Sequence, residues 1–308
     1  MNPTAILTGD WHLRSTIPIC RKDDFINTMI GKVNFILNLS KNYGVPILIP
    51  GDVGHISEWS NSLLYLIINL LKKYYMVVPP IIIPGQHDLP HHILNDWKHS
   101  GLGVLSASKC ISLLISRMNT FRINVKYEIP IVIYPYPYGV ELDHPVNHTN
   151  QFKIALMHKM VIKNKPLWKG QKDYNVAKSL LREFPEFNLI VTGDNHIPFT
   201  ETHNERLLVN CGSLMRTTIE QKNYRPRVYL WYAETNTVKE VFIPIKQDVF
   251  KPIDEIIEID KNTEIFVKAL KKNYDINISF EENMKKCLNK NPVSLKVRRK
   301  IHKAISNE

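Results

Sequence analysis

Clusters of aspartate, histidine and glycine recur along the chain, and each follows a short apolar run. In order they read Gly-Asp-Trp-His, Gly-Asp, Gly-Gln-His-Asp, an isolated histidine and Gly-Asp-Asn-His. One such cluster alone is typical of a turn, but an ordered series at strand ends predicts a metal site. The potential ligands are Asp10, His12, Asp52, Gln86, His158, Asp194 and His196.

The ligand types and their number indicate which chemistry this site performs. Carboxylate and imidazole groups suit hard or borderline divalent cations, and no thiolate is placed to favour structural zinc. Seven side chains are too many for one ion and suit two ions that share a carboxylate. Two ions roughly 3.5 to 4 Å apart can clamp a phosphoryl group and lower the pKa of a bridging water. The sequence therefore predicts phosphoester hydrolysis with two divalent ions, Mn preferred and Mg or Fe as alternatives.

Strands must bring these clusters to one edge of a sheet. Apolar runs at 5–8 and 45–50, with helical spacing across 23–43 between them, predict a parallel strand, helix, strand unit. A helix over 60–75 leads to a third strand at 76–84, which Pro79 and Pro80 interrupt. Further strands are predicted at 110–115, 121–127, 129–134, 152–157, 187–192, 207–210, 228–232 and 238–244, with a helix near 173–183.

The composition changes after about residue 250, which predicts a phosphoesterase domain over 1–248 and a small helical module over 249–308. Residues 285–303 hold eight basic residues and no acidic one. This segment is expected to bind phosphate or a protein partner, and the alternative is a solvated helical tail. Its candidate phosphate contacts are Lys296, Arg298, Arg299 and Lys300.

The overall composition favours a polyanionic partner. The 308 residues are 44% hydrophobic, enough for a real core, and the formal charge is +11. Nucleic acid is the leading partner, although some intracellular proteins are simply basic. Four widely spaced cysteines indicate neither a zinc ribbon nor a disulfide framework and suit a reducing compartment. With no signal peptide and no membrane-length apolar run, the chain is expected to be cytoplasmic with no membrane partner.

The motifs resemble the calcineurin-like metallophosphoesterase family, whose pattern is Asp-x-His, Gly-Asp, Gly-Asn-His-Asp, a lone His and Gly-His-x-His. The resemblance covers residues 4 to about 244. It implies a two-sheet α/β sandwich of the α-β-β-α type, here with a small helical C-terminal module. Residues 8–13, Thr-Gly-Asp-Trp-His-Leu, are most similar to the opening of the SbcD and Mre11 DNA-repair nucleases.

This narrower similarity implies a Mn-dependent DNA exonuclease or endonuclease of repair, recombination or replication. Such relatives act with an SMC-like ATPase subunit and often form homodimers, so both are expected partners besides DNA. Two other functions stay open. One is a phosphodiesterase or phosphatase for nucleotides or phosphoproteins, and the other is a metal-impaired DNA-binding scaffold subunit.

The family resemblance also implies a role for each residue. Asp10, His12 and His196 would hold one ion, Asp52 would bridge, and the second ion would be held by Gln86, His158 and Asp194. His87 would be catalytic, stabilising the transition state or donating a proton to the leaving oxygen. Asp88 would orient His87 through a carboxylate to imidazole hydrogen bond.

Two positions depart from the family pattern, since Gln86 replaces Asn and Asp194 replaces His. Gln86 coordinates only if its loop retreats or a water intervenes, because its stem is one methylene longer. Asp194 adds a negative charge that favours Mn or Mg, and loss of the second ion is the competing outcome.

Further side chains are candidates for substrate contact. His55 is expected in a loop at the border of the cleft, and Arg216 behind the Gly-Ser turn at 212–213, each as a possible phosphate contact. The alternative for both is an ordinary surface residue. The tyrosines of the segment 134–138 are expected either to stack on unpaired bases or to form a Pro-stiffened loop.

Overall fold

The computed structural model describes residues 2–74, 79–116, 118, 120–123, 129–145, 150–256 and 288, and two six-stranded sheets dominate it. The chain divides into two compact units, residues 1–17 with 23–248, and residues 18–22 with 249–308. In chain order the strands are β1 (Ala5–Leu7), β2 (Ile47–Ile49), β3 (Ile81–Ile82), β4 (Ser112–Leu113), β5 (Phe121–Ile123), β6 (Ile131–Tyr136), β7 (Phe152–His158), β8 (Val161–Ile162), β9 (Asn175–Val176), β10 (Leu189–Gly193), β11 (Phe199–His203), β12 (Arg206–Asn210), β13 (Arg227–Tyr232) and β14 (Thr237–Phe242).

Both large sheets are parallel in the middle and antiparallel at the margin. The first has the order β14-β13-β1-β2-β3-β4, in which β1 to β4 are parallel. The second has the order β11-β12-β10-β7-β6-β5, in which β12, β10, β7 and β6 are parallel. Parallel neighbours end at the same edge, so the residues that follow them are brought together there.

The helices are α1 (Phe25–Tyr43), α2 (Asn61–Lys73), α3 (Gly101–Ala107) and α4 (Ala177–Glu183). Asp24 caps α1 by accepting a hydrogen bond from the Asn27 N–H, and Gly44, at a φ of 67°, ends it. Ser60 caps α2 by accepting from the Leu63 N–H at 3.3 Å. These caps explain why the two helices begin close to the predicted positions. Of the described helices, none has the length and apolar character needed to cross a membrane.

Alternating strand residues build the layers. In β1, Ile6 packs among the core residues of α1, α2 and α3, whereas Leu7 packs between the sheets with Val191 of β10. In β10, Ile190 faces the opposite way and packs with Leu181 of α4. Strand side chains alternate between faces, so two buried faces per strand require a layer on each side. The predicted two-sheet α/β sandwich is therefore confirmed.

Some elements differ from the sequence prediction. The third strand is only Ile81–Ile82, because Pro79 and Pro80 cannot donate ladder hydrogen bonds. The hairpin strand β11 and the helix α3 were not predicted. Short 3-10 helices at Gln86–Asp88, Pro90–His92 and Leu94–His99 fill the connection between β3 and α3.

The second unit is described over residues 18–22, 249–256 and 288. The Lys22 N–H donates to the Val249 carbonyl at 3.0 Å, and the Lys251 N–H donates to the Cys20 carbonyl at 2.9 Å. These bonds join residues 18–22 to the start of the C-terminal segment, an association that the sequence did not indicate. The basic segment 285–303, apart from Leu288, lies outside the described residues.

Candidate metal centre

The predicted ligand motifs lie at or just after the carboxyl ends of five parallel strands. Asp10 follows β1, Asp52 follows β2 and Gln86 follows β3, all in the first sheet. His158 ends β7 and Asp194 follows β10, both in the second sheet. The site therefore lies where the two sheets share one edge.

Asp10, His12 and His196 form the first group of potential ligands, with one ligand atom of each within 4.8 Å of the others. The Nε2 atoms of His12 and His196 are 3.0 Å apart, and His196 Nε2 lies 3.5 Å from Asp10 Oδ2. Asp10 Oδ2 also accepts the Asp194 N–H at 3.0 Å, which joins the two sheets at the site.

Asp52, His158 and Asp194 form the second group, within the same 4.8 Å limit. His158 Nε2 lies 3.5 Å from Asp52 Oδ2, while His158 Nδ1 donates to the Pro50 carbonyl at 2.6 Å. A carbonyl only accepts, so Nδ1 carries the proton and Nε2 is the atom that faces the site. The Gln86 Nε2 amide donates to Asp194 Oδ1 at 2.7 Å, which places Gln86 beside this group.

Asp52 lies between the two groups. Its Oδ2 is 3.5 Å from His158 Nε2 and 3.9 Å from His12 Nε2, and its Oδ1 accepts the His87 N–H at 2.9 Å. One carboxylate thus reaches ligands of both groups, as a bridging residue must.

Three of the potential ligands have backbone φ angles that are uncommon for residues other than glycine. His12, Asp52 and Asp194 have φ values of 46°, 49° and 75°, in the left-handed region that side chains with a Cβ disfavour. A Cβ on Gly85 would collide with Asp52 Oδ1 and with the Asp52 backbone nitrogen. Position 85 therefore requires glycine, because the backbone there lies close to Asp52. Strained φ angles such as those of His12, Asp52 and Asp194 are common at functional sites.

Burial and like charges shift the pKa values of the carboxyl groups. Burial raises the pKa of Asp10 well above its usual range, and the charges of Asp52 and Asp194 raise it further against the opposing effect of His158. Burial also acts to raise the pKa of Asp52, but His158 and His12 outweigh it and hold that pKa below its usual value. A divalent cation would relieve this crowding of negative charge.

The histidines are shifted in opposite directions. Burial lowers the pKa of His12 to about 3 and also lowers the pKa of His196, so both rings are neutral with lone pairs available. Burial opposes the charged form of His158 as well, but Asp52 and Asp10 raise its pKa to about 10. A cation between His158 and Asp52 would take the place of that proton.

Four buried polar atoms of the predicted ligand residues have no hydrogen-bond partner among the described residues. They are Asp10 Oδ1, His12 Nδ1, Gln86 Oε1 and His158 Nε2. Buried polar atoms without partners are costly, and their concentration in one cluster indicates that a bound group satisfies some of them. The residues present therefore fit a pair of divalent cations. Gln86 Oε1 accepts no hydrogen bond from the described chain, so this oxygen is available for coordination.

His87 and His55 border this cluster. The His87 side chain is 40% exposed, its Nε2 is 4.0 Å from Asp52 Oδ2, and its ring centroid is 5.1 Å from that of His12. His55 stacks on His87 with centroids 6.0 Å apart and planes 10° from parallel. Both imidazoles thus lie at the border of the cluster of potential ligands.

The predicted hydrogen bond from Asp88 to the His87 imidazole is wrong. Asp88 is buried, and its carboxylate accepts from the backbone N–H groups of Val53, Gly54 and Gly85 at 2.8 to 3.2 Å. Burial, together with the charge of Asp52, raises the Asp88 pKa to about 7. Asp88 therefore fastens the loop after β2 to the loop after β3.

The phosphate contact predicted for Arg216 is also wrong. Arg216 is only 4% exposed, and its two terminal nitrogens donate to the carbonyls of Lys222 and Lys246 at 2.9 and 2.8 Å. The guanidinium therefore connects two loops through their backbone carbonyls. Lys296, Arg298, Arg299 and Lys300 lie outside the described residues.

A group of hydrogen bonds around the buried Asn210, which we call the clamp, was not predicted from the sequence. Asn210, at the end of β12, donates from Nδ2 to the carbonyls of Asn195 and Ile197 at 2.7 and 2.8 Å. Its Oδ1 accepts from the Thr192 hydroxyl at 3.1 Å. The clamp fixes the loop that carries Asp194 and His196. A polar residue at the end of a buried strand was the signal that could have revealed it.

We expect Asn210→Ala to lower the free energy of unfolding by about 2 to 4 kcal/mol, because three buried hydrogen bonds are lost and two carbonyls stay unpaired. Affinity for divalent metal should fall as well, since the ligand loop loses its support. Thermal unfolding and metal titration measure the two effects. Thr192→Val removes only one of these bonds and should cost about 1 kcal/mol. Equal effects of both variants would contradict the clamp.

Comparison with solved structures finds distant similarities. TT1561 of Thermus thermophilus has a TM-score of 0.46 and 11% identity, over 79% of this chain and 100% of that chain. A novel archaeal phosphodiesterase has a TM-score of 0.39 and 10% identity, over 77% of this chain and 98% of that chain. No family model and no curated protein matches the sequence.

Proposed function

We propose that this chain is a metal-dependent phosphodiesterase of the calcineurin-like metallophosphoesterase type, acting on DNA as a nuclease. The observation that carries the proposal is the convergence of two His/Asp groups on Asp52, with buried ligand atoms that have no hydrogen-bond partner in the described chain. Structural metal sites usually have closed, fully supported ligand sets, whereas an open pair suits catalysis.

Two divalent cations bound here would offset charge on the phosphoryl oxygens and lower the pKa of a water held between them. Other residues of the chain orient the potential ligands Asp52 and His158. Asp52 is held by the His87 N–H, and His158 is held by the Pro50 carbonyl. The exposed His87 imidazole would give a proton to the leaving oxygen, and His55, which stacks on it, would support it.

DNA is the proposed substrate because the +11 charge favours a polyanion, and because residues 8–13 resemble the opening motif of SbcD-type nucleases. Mn is the proposed ion, since carboxylate, amide and imidazole ligands suit it. An SMC-like ATPase subunit and a second copy of this chain are proposed as partners on the same resemblance. We propose a cytoplasmic location, consistent with these partners.

Metal content and hydrolysis test the proposal together. Purified protein should hold close to two ions per chain, and Mn should support cleavage of a DNA oligonucleotide. Chelation should abolish cleavage, and added Mn should restore it. Hydrolysis of a nucleotide diester with DNA left intact would overturn the nuclease assignment and keep the phosphodiesterase. One ion or none, with DNA binding but no hydrolysis, would instead support a metal-impaired scaffold subunit.

A further inference from the structure

Two exposed aromatic rings lie beside Gln86. Tyr138 follows β6, and its backbone N–H donates to the Pro84 carbonyl at 3.0 Å, just before the ligand loop. His92 lies in the 3-10 helix Pro90–His92, and its Nδ1 donates to the Gln86 carbonyl at 2.9 Å. The two ring centroids are 6.1 Å apart. The Tyr138 backbone and the His92 ring are thus fastened to the segment that carries a predicted metal ligand.

Tyr138 differs from the other tyrosines of its segment. Tyr136 is buried and packs edge-on against Phe187, and Tyr134 also contacts Phe187, with ring centroids 5.8 Å apart. Those two rings belong to the core. Tyr138 is 37% exposed, and within the described chain its ring neighbour is His92. Its ring is therefore partly exposed to solvent.

The backbone of the neighbouring loop is strained in a way that fixes this arrangement. His91 and His92 are consecutive residues with φ values of 51° and 60°. Two successive left-handed residues with a Cβ are unfavourable unless the surroundings enforce them. Here the conformation brings the His92 ring to both Gln86 and Tyr138.

We propose that the Tyr138 ring, with the His92 ring tilted by 57° beside it, is a stacking platform for an unpaired nucleobase of the substrate, next to the phosphodiester held at the metal centre. This rests on the proposed function. Every base has an aromatic face, so stacking on such rings binds nucleic acid with little sequence preference. A base is joined to its phosphate through one sugar, so the platform must lie close to the ligands, and the hydrogen bond from His92 to the Gln86 backbone carbonyl keeps the His92 ring next to the ligand loop. The +11 charge favours nucleic acid over a phosphopeptide.

The test measures binding of single-stranded DNA in the presence of Mg. The DNA has phosphorothioate linkages, which resist cleavage, and two probes carry the fluorescent base 2-aminopurine at one end or at the other. Wild-type protein should quench the probe on binding. Tyr138→Leu should lose the quenching and raise Kd roughly five- to a hundredfold, the range expected for one lost base stack. Tyr138→Phe keeps the ring and should behave as wild type. Each change leaves the backbone bond to Pro84 in place.

Two controls isolate stacking. Tyr65, 74% exposed on the outer face of α2, is a matched tyrosine, and Tyr65→Leu should change nothing. An oligonucleotide with an abasic end should bind wild type and Tyr138→Leu equally. Equal weakening of abasic and intact DNA by Tyr138→Leu would overturn the platform, and so would unchanged binding of both. Weakened binding of a phosphotyrosine peptide alone would assign the ring to a phosphoprotein and overturn the nucleobase proposal.

The readout separates this proposal from the function on which it rests. Quenching that depends on Tyr138, in a protein that hydrolyses no phosphodiester, would overturn the nuclease and support the platform. DNA cleavage by Tyr138→Leu with wild-type KM, and with wild-type quenching, would overturn the platform and leave the nuclease.

Discussion

Asp52→Asn is expected to abolish phosphodiester hydrolysis, with a loss on the order of a thousandfold or more. Asp52 is a carboxylate that lies within reach of both ligand groups, 3.5 Å from His158 Nε2 and 3.9 Å from His12 Nε2. Asparagine keeps the size of the side chain but removes the negative charge that two bound cations would share. Loss of several kcal/mol of charge stabilisation corresponds to that factor, since about 1.4 kcal/mol is tenfold in rate.

Metal analysis and steady-state kinetics on the same preparation check this result. Bound metal should fall from close to two ions per chain to one or none. Asp173→Asn, a change at an exposed aspartate ahead of β9, is the matched control and should retain both ions and full activity. Circular dichroism should show that both variants are folded. Full activity in Asp52→Asn, or activity that persists in chelator, would exclude the two-metal mechanism.

The parts of the fold that follow from local pattern were predictable. Phe25, Met29, Val33 and Ile36 recur at helical spacing, and all are fully buried on one face of α1. The parallel strands could be recognised as apolar runs in the sequence. The carboxyl ends of parallel strands lie at the same edge of a sheet. That rule alone places residues from 10 to 196 in one cluster.

The parts that depend on long-range packing were not predictable. β1 pairs with β13, more than two hundred residues later, and no local signal specifies that partner. The family resemblance implied that Asp88 orients the His87 imidazole, and the Gly-Ser turn at 212–213 suggested Arg216 as a phosphate contact. Their surroundings decided otherwise, because each is buried among backbone groups that need hydrogen bonds. A charged residue near a site is not thereby part of it.

His87 is expected to be needed for turnover but not for metal binding. Its backbone N–H orients Asp52, and that bond survives substitution, whereas the exposed imidazole does not. His87→Ala should therefore retain close to two ions per chain and lose about a hundredfold or more in kcat on DNA, the scale of lost general acid catalysis. The exposed His99 offers a matched control, and His99→Ala should leave kcat unchanged.

The geometry also contains a rival arrangement, because ligand atoms of His12, Asp52 and His87 lie within 4.8 Å of one another. If His87 binds metal, His87→Ala will lose an ion along with activity. The leaving group separates the remaining roles. An alkoxide leaving from DNA needs a proton, whereas p-nitrophenolate leaves without one, so a general acid matters only for the former. A variant that keeps its metal and cleaves a p-nitrophenyl diester at nearly the wild-type rate, yet fails on DNA, identifies His87 as the proton donor. Equal losses on both substrates would mean that the imidazole instead stabilises charge on the phosphoryl oxygens.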